Sequence, residues 1–150
     1  MGLGKSASAL WAIDYLMNTG AVKRALVVAP LSTLHRVWQD EAFKLLTHRR
    51  SVVFYGSAAQ RKKLYDTDWE IGIVNFDGVP ILKDELAKDV ASGRLDMIII
   101  DEASAYRNTR TKRWKLMKSF SKYLKRFVLM TGTPCPEAPT DAYGLAKLLA

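Results

Sequence analysis

Met97-Ile98-Ile99-Ile100-Asp101-Glu102-Ala103 is an aliphatic run that passes directly into two adjacent carboxylates. A short apolar stretch rich in β-branched residues and bounded by polar ones reads as a buried strand. Adjacent carboxylates leaving such a strand repel each other unless a cation or a water network compensates them. The stretch therefore predicts a buried strand and also marks the point on its end where a positive group is needed.

Working outward, four more segments have the same character: Ala25–Ala29, Ser51–Tyr55, Ile71–Asn75 and Phe127–Thr131, with the first strand taken as 97–101. Between them lie helical patterns at Lys5–Met17, Thr33–Leu46, Ala58–Tyr65, Ile81–Ala91, Lys112–Tyr123 and about Thr140–Leu149. Gly20, Gly56, Gly78, Gly93 and Gly132, with Pro30, Pro80 and Pro134, mark the breaks. Strand alternating with helix predicts an α/β fold, a mainly parallel sheet with helices on both faces. No internal repeat, low-complexity stretch or linker interrupts the pattern, so the 150 residues read as one domain.

Composition narrows the class. No run approaches the roughly 18 apolar residues of a membrane span, and no basic-then-apolar leader is present, so no membrane partner or secretory signal is predicted. The single cysteine, Cys135, has no internal partner, which fits a reducing compartment. One Cys with the distant His35 and His48 makes a poor zinc set. The net charge is +8, and between Ala103 and Arg126 there are nine basic residues and no acid. Such a segment suits a polyanion-facing surface, and equally a solvated helix face.

In open parallel sheets the ligand site lies at the carboxyl ends of the strands. Pro30-Leu31-Ser32, Asn75-Phe76-Asp77, Asp101-Glu102 and Thr131-Gly132-Thr133 all collect there. Gly4-Lys5-Ser6 opens the first helix. Gly2 and Gly4 permit a tight turn, Lys5 suits the β- and γ-phosphates, Ser6 suits Mg2+, and the helix start favours anions. Read alone, the same residues also suit a Gly-rich helix start with a solvent-facing lysine. In a nucleotide hydrolase Asp101 holds Mg2+ and Glu102 orients and deprotonates the attacking water; the plain alternative is an acidic turn capping the next helix. Thr131, Gly132 and Thr133 offer small donors suited to sensing a γ-phosphate, or simply a good turn. Trp38, Ala42 and Leu45, like Trp114, Met117, Ser121 and Leu124, fall at helical spacing and read as core. Lys115, Lys118, Lys122 and Lys125 line one face of the same predicted helix as Trp114. Phe76, just past a strand end, is the one aromatic kept as a nucleic-acid contact.

With these residues in view the chain resembles the first lobe of a superfamily 2 helicase of the Swi/Snf type, and especially the compact phage proteins of that group. Met1-Gly2-Leu3-Gly4-Lys5-Ser6 is similar to motif I, Val28-Ala29-Pro30-Leu31-Ser32 to motif Ia and Ile73-Val74-Asn75-Phe76 to motif Ib. Asp101-Glu102-Ala103-Ser104 resembles the Asp-Glu box, and Arg107-Asn108 with Thr111-Lys112-Arg113-Trp114 the basic stretch after it. Thr131-Gly132-Thr133-Pro134 with Asp141-Ala142-Tyr143-Gly144 resembles motif III and its helix, although Glu137 stands near where many relatives carry Asn. The resemblance implies a RecA-like P-loop NTPase lobe that uses ATP and Mg2+. It implies Met1, Gly2, Leu3, Gly4, Lys5 and Ser6 at the nucleotide, Ser6 and Asp101 at the metal, and Lys5 and Glu102 in catalysis. Thr131, Gly132 and Thr133 then serve coupling, and Pro30, Leu31, Ser32, Asn75 and Phe76 touch nucleic acid. The implied activity is ATP hydrolysis coupled to movement on DNA, duplex DNA above all; Thr131-Gly132-Thr133 leans away from the Ser-Ala-Thr of RNA helicases.

The resemblance further implies that the chain opens inside motif I, that the sheet lacks its first strand, and that a second RecA-like lobe supplies an arginine finger. Residues 1–150 then form a partial N-terminal ATP-binding lobe, inactive by itself. An intracellular setting follows, in a bacterial or phage-infected cytoplasm. Two rival readings stand beside this one: an idle fragment binding DNA or a partner through its basic segment, and the motor lobe of a restriction- or nuclease-associated enzyme.

Overall fold

Buried β-branched runs pair in register to build the centre of the molecule. In the computed structural model, which describes residues 3–131 and 139–150, five strands form one parallel sheet in the order β2-β3-β1-β4-β5. The chain runs α1 (Leu3–Asn18), β1 (Ala25–Ala29), α2 (Leu31–Thr33), a π-helical turn (Leu34–Gln39) and α3 (Asp40–Leu45). It continues through β2 (Ser51–Val53), α4 (Ala58–Tyr65), β3 (Ile71–Asn75), α5 (Gly78–Ile81) and α6 (Lys83–Ala91). Then come β4 (Met97–Ile100), a 3-10 turn (Ala103–Tyr106), α7 (Lys112–Ser121), β5 (Arg126–Leu129) and α8 (Pro139–Leu149). Met1 and Gly2 of the expected phosphate loop lie outside the described residues, as do Gly132, Thr133, Pro134, Cys135 and Glu137 and the side chains of Leu3 and Asp141.

The period-2 alternation of strands divides the core into two layers. Ala25, Val27, Ala29, Ile71, Ile73, Met97 and Ile99 point to one face, where Leu10 and Ile13 of α1 meet Leu34, Trp38 and Ala42. Leu26, Val28, Val74, Ile98 and Ile100 point to the other, under α4 to α8, with Leu86, Trp114, Met117 and Phe120 packed against them. The expected parallel sheet with helices on both faces is what forms. Close packing has local demands too. Gly144 of α8 lies so close to Arg107 that a Cβ would strike the Arg107 carbonyl, while the Gly144 carbonyl accepts the Trp114 indole N–H at 3.0 Å.

Three expectations need correction. The helix predicted over 33–46 is three pieces, because the chain widens into a π turn at Leu34–Gln39 before returning to α geometry. The helix predicted over 81–91 starts earlier, as the short α5, and breaks at Leu82, whose N–H satisfies the Gly78 and Val79 carbonyls. The segment read as a buried strand at 127–131 is an edge strand, with Val128 37% exposed. Between it and α1 lies a cavity of about 720 Å³ lined by Gly4, Lys5, Ala12, Ile99, Val128 and Met130, among others. No helix among the described residues is long and apolar enough to cross a membrane.

Candidate functional site

Parallel strands bring their carboxyl ends to one edge, and four of them deliver candidate residues there. β1 leads into Pro30, β3 ends at Asn75, β4 passes into Asp101, and β5 passes through Met130 into Thr131. The edge is sewn together by backbone: the Asp101 N–H donates to the Val28 carbonyl at 2.7 Å, Met130 N–H to Ile100 at 2.8 Å, and Ala103 N–H to Met130 at 2.9 Å.

The cation that the two carboxylates require comes from the start of α1. Lys5 Nζ lies 3.4 Å from Asp101 Oδ1 and 3.6 Å from Glu102 Oε1, although the three residues are far apart in sequence. Asp101 is only 7% exposed, so its charge needs partners. Its Oδ1 also accepts the Glu102 backbone N–H at 3.0 Å, and its Oδ2 accepts the Trp38 indole N–H at 3.0 Å. Glu102 adopts φ 53° and ψ 56°, the left-handed region, and it is the one non-glycine residue with positive φ among those described. A side chain in that region carries strain of order 1–3 kcal/mol and turns up at functional sites. Here the turn directs the Glu102 carboxylate toward Lys5, with its side chain 44% exposed.

Gly4 belongs to the first turn of α1 and needs no left-handed φ, contrary to the tight turn expected of it. A Cβ there would meet no atom within 4 Å, so the surface over the first turn of α1 is open. Ser6, one residue beyond Lys5, is buried. Among the described residues no group of three or more His, Cys, Asp or Glu side chains is arranged for a metal. Mg2+ is ordinarily held by one or two carboxylates together with substrate phosphates and water. Asp101 with the Ser6 hydroxyl supplies hard oxygen donors of that kind, beside a lysine and a helix start suited to phosphate.

The expected nucleic-acid contacts separate into two groups. Leu31 and Ser32 are exposed on the first turn after β1, with Pro30 half-buried. Asn75 is 7% exposed, and its Oδ1 accepts a 2.8 Å hydrogen bond from Arg61 Nη1. Arg61, itself buried, also donates to the Phe54 and Gly56 carbonyls, so it clamps the ends of β2 and β3 together. Phe76 is partly buried, edge-on to Tyr106 with the Arg113 guanidinium over its ring. Thr131 is half-buried at the end of the β5 segment, next to Met130, whose backbone bonds both sides of Asp101-Glu102.

The basic face is not continuous. α7 stops at Ser121, so Lys122 and Lys125 leave the helix that was expected to align them. Lys118 donates to the Lys147 carbonyl at 2.9 Å, tying α7 to the end of α8, and Arg113 pairs with Asp77. Arg126 opens β5 and so lies at the amino edge of the sheet, away from Asp101.

That amino edge carries a separate ion network. Arg49 donates to Asp14 Oδ1 of α1 at 2.8 Å and to Glu70 Oε2 at 3.1 Å, and His48 meets Asp14 at 2.7 Å. Burial works against ionised Asp14, but hydrogen bonds from Arg49 and His48 outweigh it and hold its carboxyl below the usual 3.8. Burial likewise opposes ionised Glu70, and the Arg50 backbone N–H with Arg49 holds it below the usual 4.5. Carboxyls depressed in the folded state stabilise it above their unfolded values and lose that contribution as pH falls through the folded ones. Arg49→Leu is therefore expected to lower the melting temperature at pH 7, with the deficit shrinking below about pH 4. A deficit independent of pH in melts across that range would remove the network from the stability argument.

The model of the SNF2-related domain family matches residues 1–150. Protein p41 of Acyrthosiphon pisum secondary endosymbiont phage 1 is 34% identical, over 97% of this chain and 33% of its own length. The chromatin-remodelling ATPase INO80 of Lodderomyces elongisporus is 30% identical, over 99% of this chain and 10% of its length. Among solved structures, the Sulfolobus solfataricus SWI2/SNF2 ATPase core in complex with dsDNA superposes with a TM-score of 0.74 at 27% identity, covering 99% of this chain and 30% of that one. The chain thus spans a third or less of the length of these proteins.

Proposed function

Because the chain belongs to the SNF2-related domain family, we propose that it is the ATP-binding lobe of a DNA-dependent ATPase that couples hydrolysis to movement along duplex DNA. Its RecA-like architecture is that of the Swi2/Snf2 ATPase core. The observation that carries the proposal is the meeting of Lys5 with Asp101 and Glu102 on the carboxyl edge of the sheet. Lys5 neutralises the paired carboxylates and is placed to release them to a metal–phosphate complex. Bound Mg2+ supplies charge neutralisation of the phosphates. Asp101 and Ser6 would hold that ion, and Glu102 would orient the attacking water and accept its proton.

DNA enters this reading through the SWI2/SNF2 core solved with dsDNA and through exposed Leu31 and Ser32, which adjoin the nucleotide site by way of β1. Asn75, held by Arg61, and Phe76, packed on Tyr106 and Arg113, shape that edge and are proposed as contacts beside it. The Met130 backbone, bonded to both Ile100 and Ala103, supports Thr131 with Gly132 and Thr133 as the coupling segment. The open edge of β5 is a natural place for the strand leading to the phosphate loop, and a second lobe completes the motor. A bacterial or phage-infected cytoplasm remains the setting we favour.

The test is duplex-DNA binding by the intact protein in the presence and absence of Mg·ATP, followed by ATP turnover with and without DNA. Nucleotide-dependent affinity and DNA-stimulated turnover are expected. DNA binding indifferent to nucleotide would instead assign the chain to passive binding through its basic segment.

A further inference from the structure

Trp38 has the helical spacing of a core residue and fills that role, at 0% exposure between α1 and the sheet. A buried indole still has one N–H to satisfy, and where it is spent is informative. Trp69 and Trp114 donate theirs to backbone carbonyls, of Tyr65 and Gly144. Trp38 donates to a side-chain carboxylate, Asp101 Oδ2, at 3.0 Å. A buried hydrogen bond to an ionised acceptor is among the stronger and more directional kinds.

The bond has a definite geometric effect. A carboxylate on a strand end can turn about its terminal torsion, which is broad. With Oδ2 held by Trp38, and Oδ1 held by the Glu102 N–H at 3.0 Å, that freedom is removed. Oδ1 is then the oxygen presented on the Lys5 side, 3.4 Å from Nζ. The indole is carried by the π-helical turn Leu34–Gln39, directly after the exposed Leu31–Ser32 segment. π turns are rare and frequently accompany functional sites.

We propose that Trp38 is a positioning residue of the nucleotide site: its indole N–H locks the Asp101 carboxylate so that Oδ1 faces the metal–phosphate position, and it joins that lock to the turn following Leu31–Ser32. The proposal rests on the nucleotide-site reading above. Groups that orient metal-binding side chains typically change metal affinity or activity 10–100-fold when removed.

The experiment uses the intact protein with two replacements at Trp38. One is Trp38→Phe, which removes the N–H and some volume. The other is the tryptophan analogue benzothienylalanine, which keeps the ring volume and puts sulfur where the N–H was. Calorimetric titration measures the Mg2+ needed for nucleotide binding, alongside kcat and KM for ATP and a thermal melt. For the analogue we expect a modestly lower melt, because Asp101 Oδ2 loses a buried donor, with an unchanged KM, a Mg2+ half-saturation raised about tenfold, and a comparable fall in kcat. The indole N–H resonance of Trp38, identified by its loss in Trp38→Phe, is expected to move in Asp101→Asn. If the analogue matches the wild type in Mg2+ dependence and kcat while Trp38→Phe is merely less stable, Trp38 is core alone and the proposal is overturned. If the unaltered protein shows no Mg2+-dependent nucleotide binding, the nucleotide-site reading itself fails, a result distinct from the first.

Discussion

The 150-residue chain on its own is expected to hydrolyse ATP about 10³- to 10⁵-fold more slowly than the same chain acting with a second, arginine-bearing lobe. Phosphoryl transfer is catalysed mostly by positioning and by electrostatic stabilisation of charge on the transferring group. Among the described residues, Lys5 is the cation paired with Asp101 and Glu102. Arg113 is committed to Asp77 and to the Phe76 and Tyr106 rings. In the proposed reading Lys5 serves the ground-state phosphates, and the second lobe would bring a further cation to the reacting phosphoryl group. Single-turnover rates for the isolated chain and for the intact protein, at saturating Mg·ATP and duplex DNA, measure the difference. Equal rates would show that this chain already holds every catalytic cation.

Much of this site was legible because its residues follow local rules. Buried aliphatic runs gave β1 and β3 to the residue, and an acidic pair at a strand end announced the cation that Lys5 provides. What escaped depends on contacts distant in sequence. Trp38 reads as core and is core, but helical spacing shows neither the π turn that carries it nor its indole partner at the end of β4. The partners of Asn75 and Phe76, Arg61 of α4 and Arg113 of α7, likewise lie beyond a local reading. The lysine stripe on α7 failed for a related reason. Only the packing of α8 shows that Lys118 is engaged by the Lys147 carbonyl. Edge position is equally invisible: after Arg126, the Phe127-Val128-Leu129 run of β5 is as apolar as a central strand.

Glu102→Gln is expected to leave Mg·ATP affinity within a few-fold of wild type while lowering turnover by about 10²- to 10⁴-fold, the usual contribution of a positioned general base. The substitution keeps shape and hydrogen-bonding reach but removes proton-accepting capacity. The left-handed backbone at φ 53° is set by the strand-to-turn geometry, which ties Ala103 N–H to Met130 and Asp101 N–H to Val28 on either side. Gln inherits that conformation at similar cost. Removing one carboxylate also relieves repulsion with Asp101, and Lys5 keeps its 3.4 Å partner, so no loss of fold is expected from the lost ion pair, which is partly exposed and weak. Glu102→Gly provides the stability control, because glycine adopts positive φ without the Cβ penalty. It is expected to melt no lower than wild type and to be as inactive as Glu102→Gln. Comparable turnover in Glu102→Gln and wild type, with nucleotide bound in both, would take Glu102 out of the reaction and leave the strained turn as a purely structural feature.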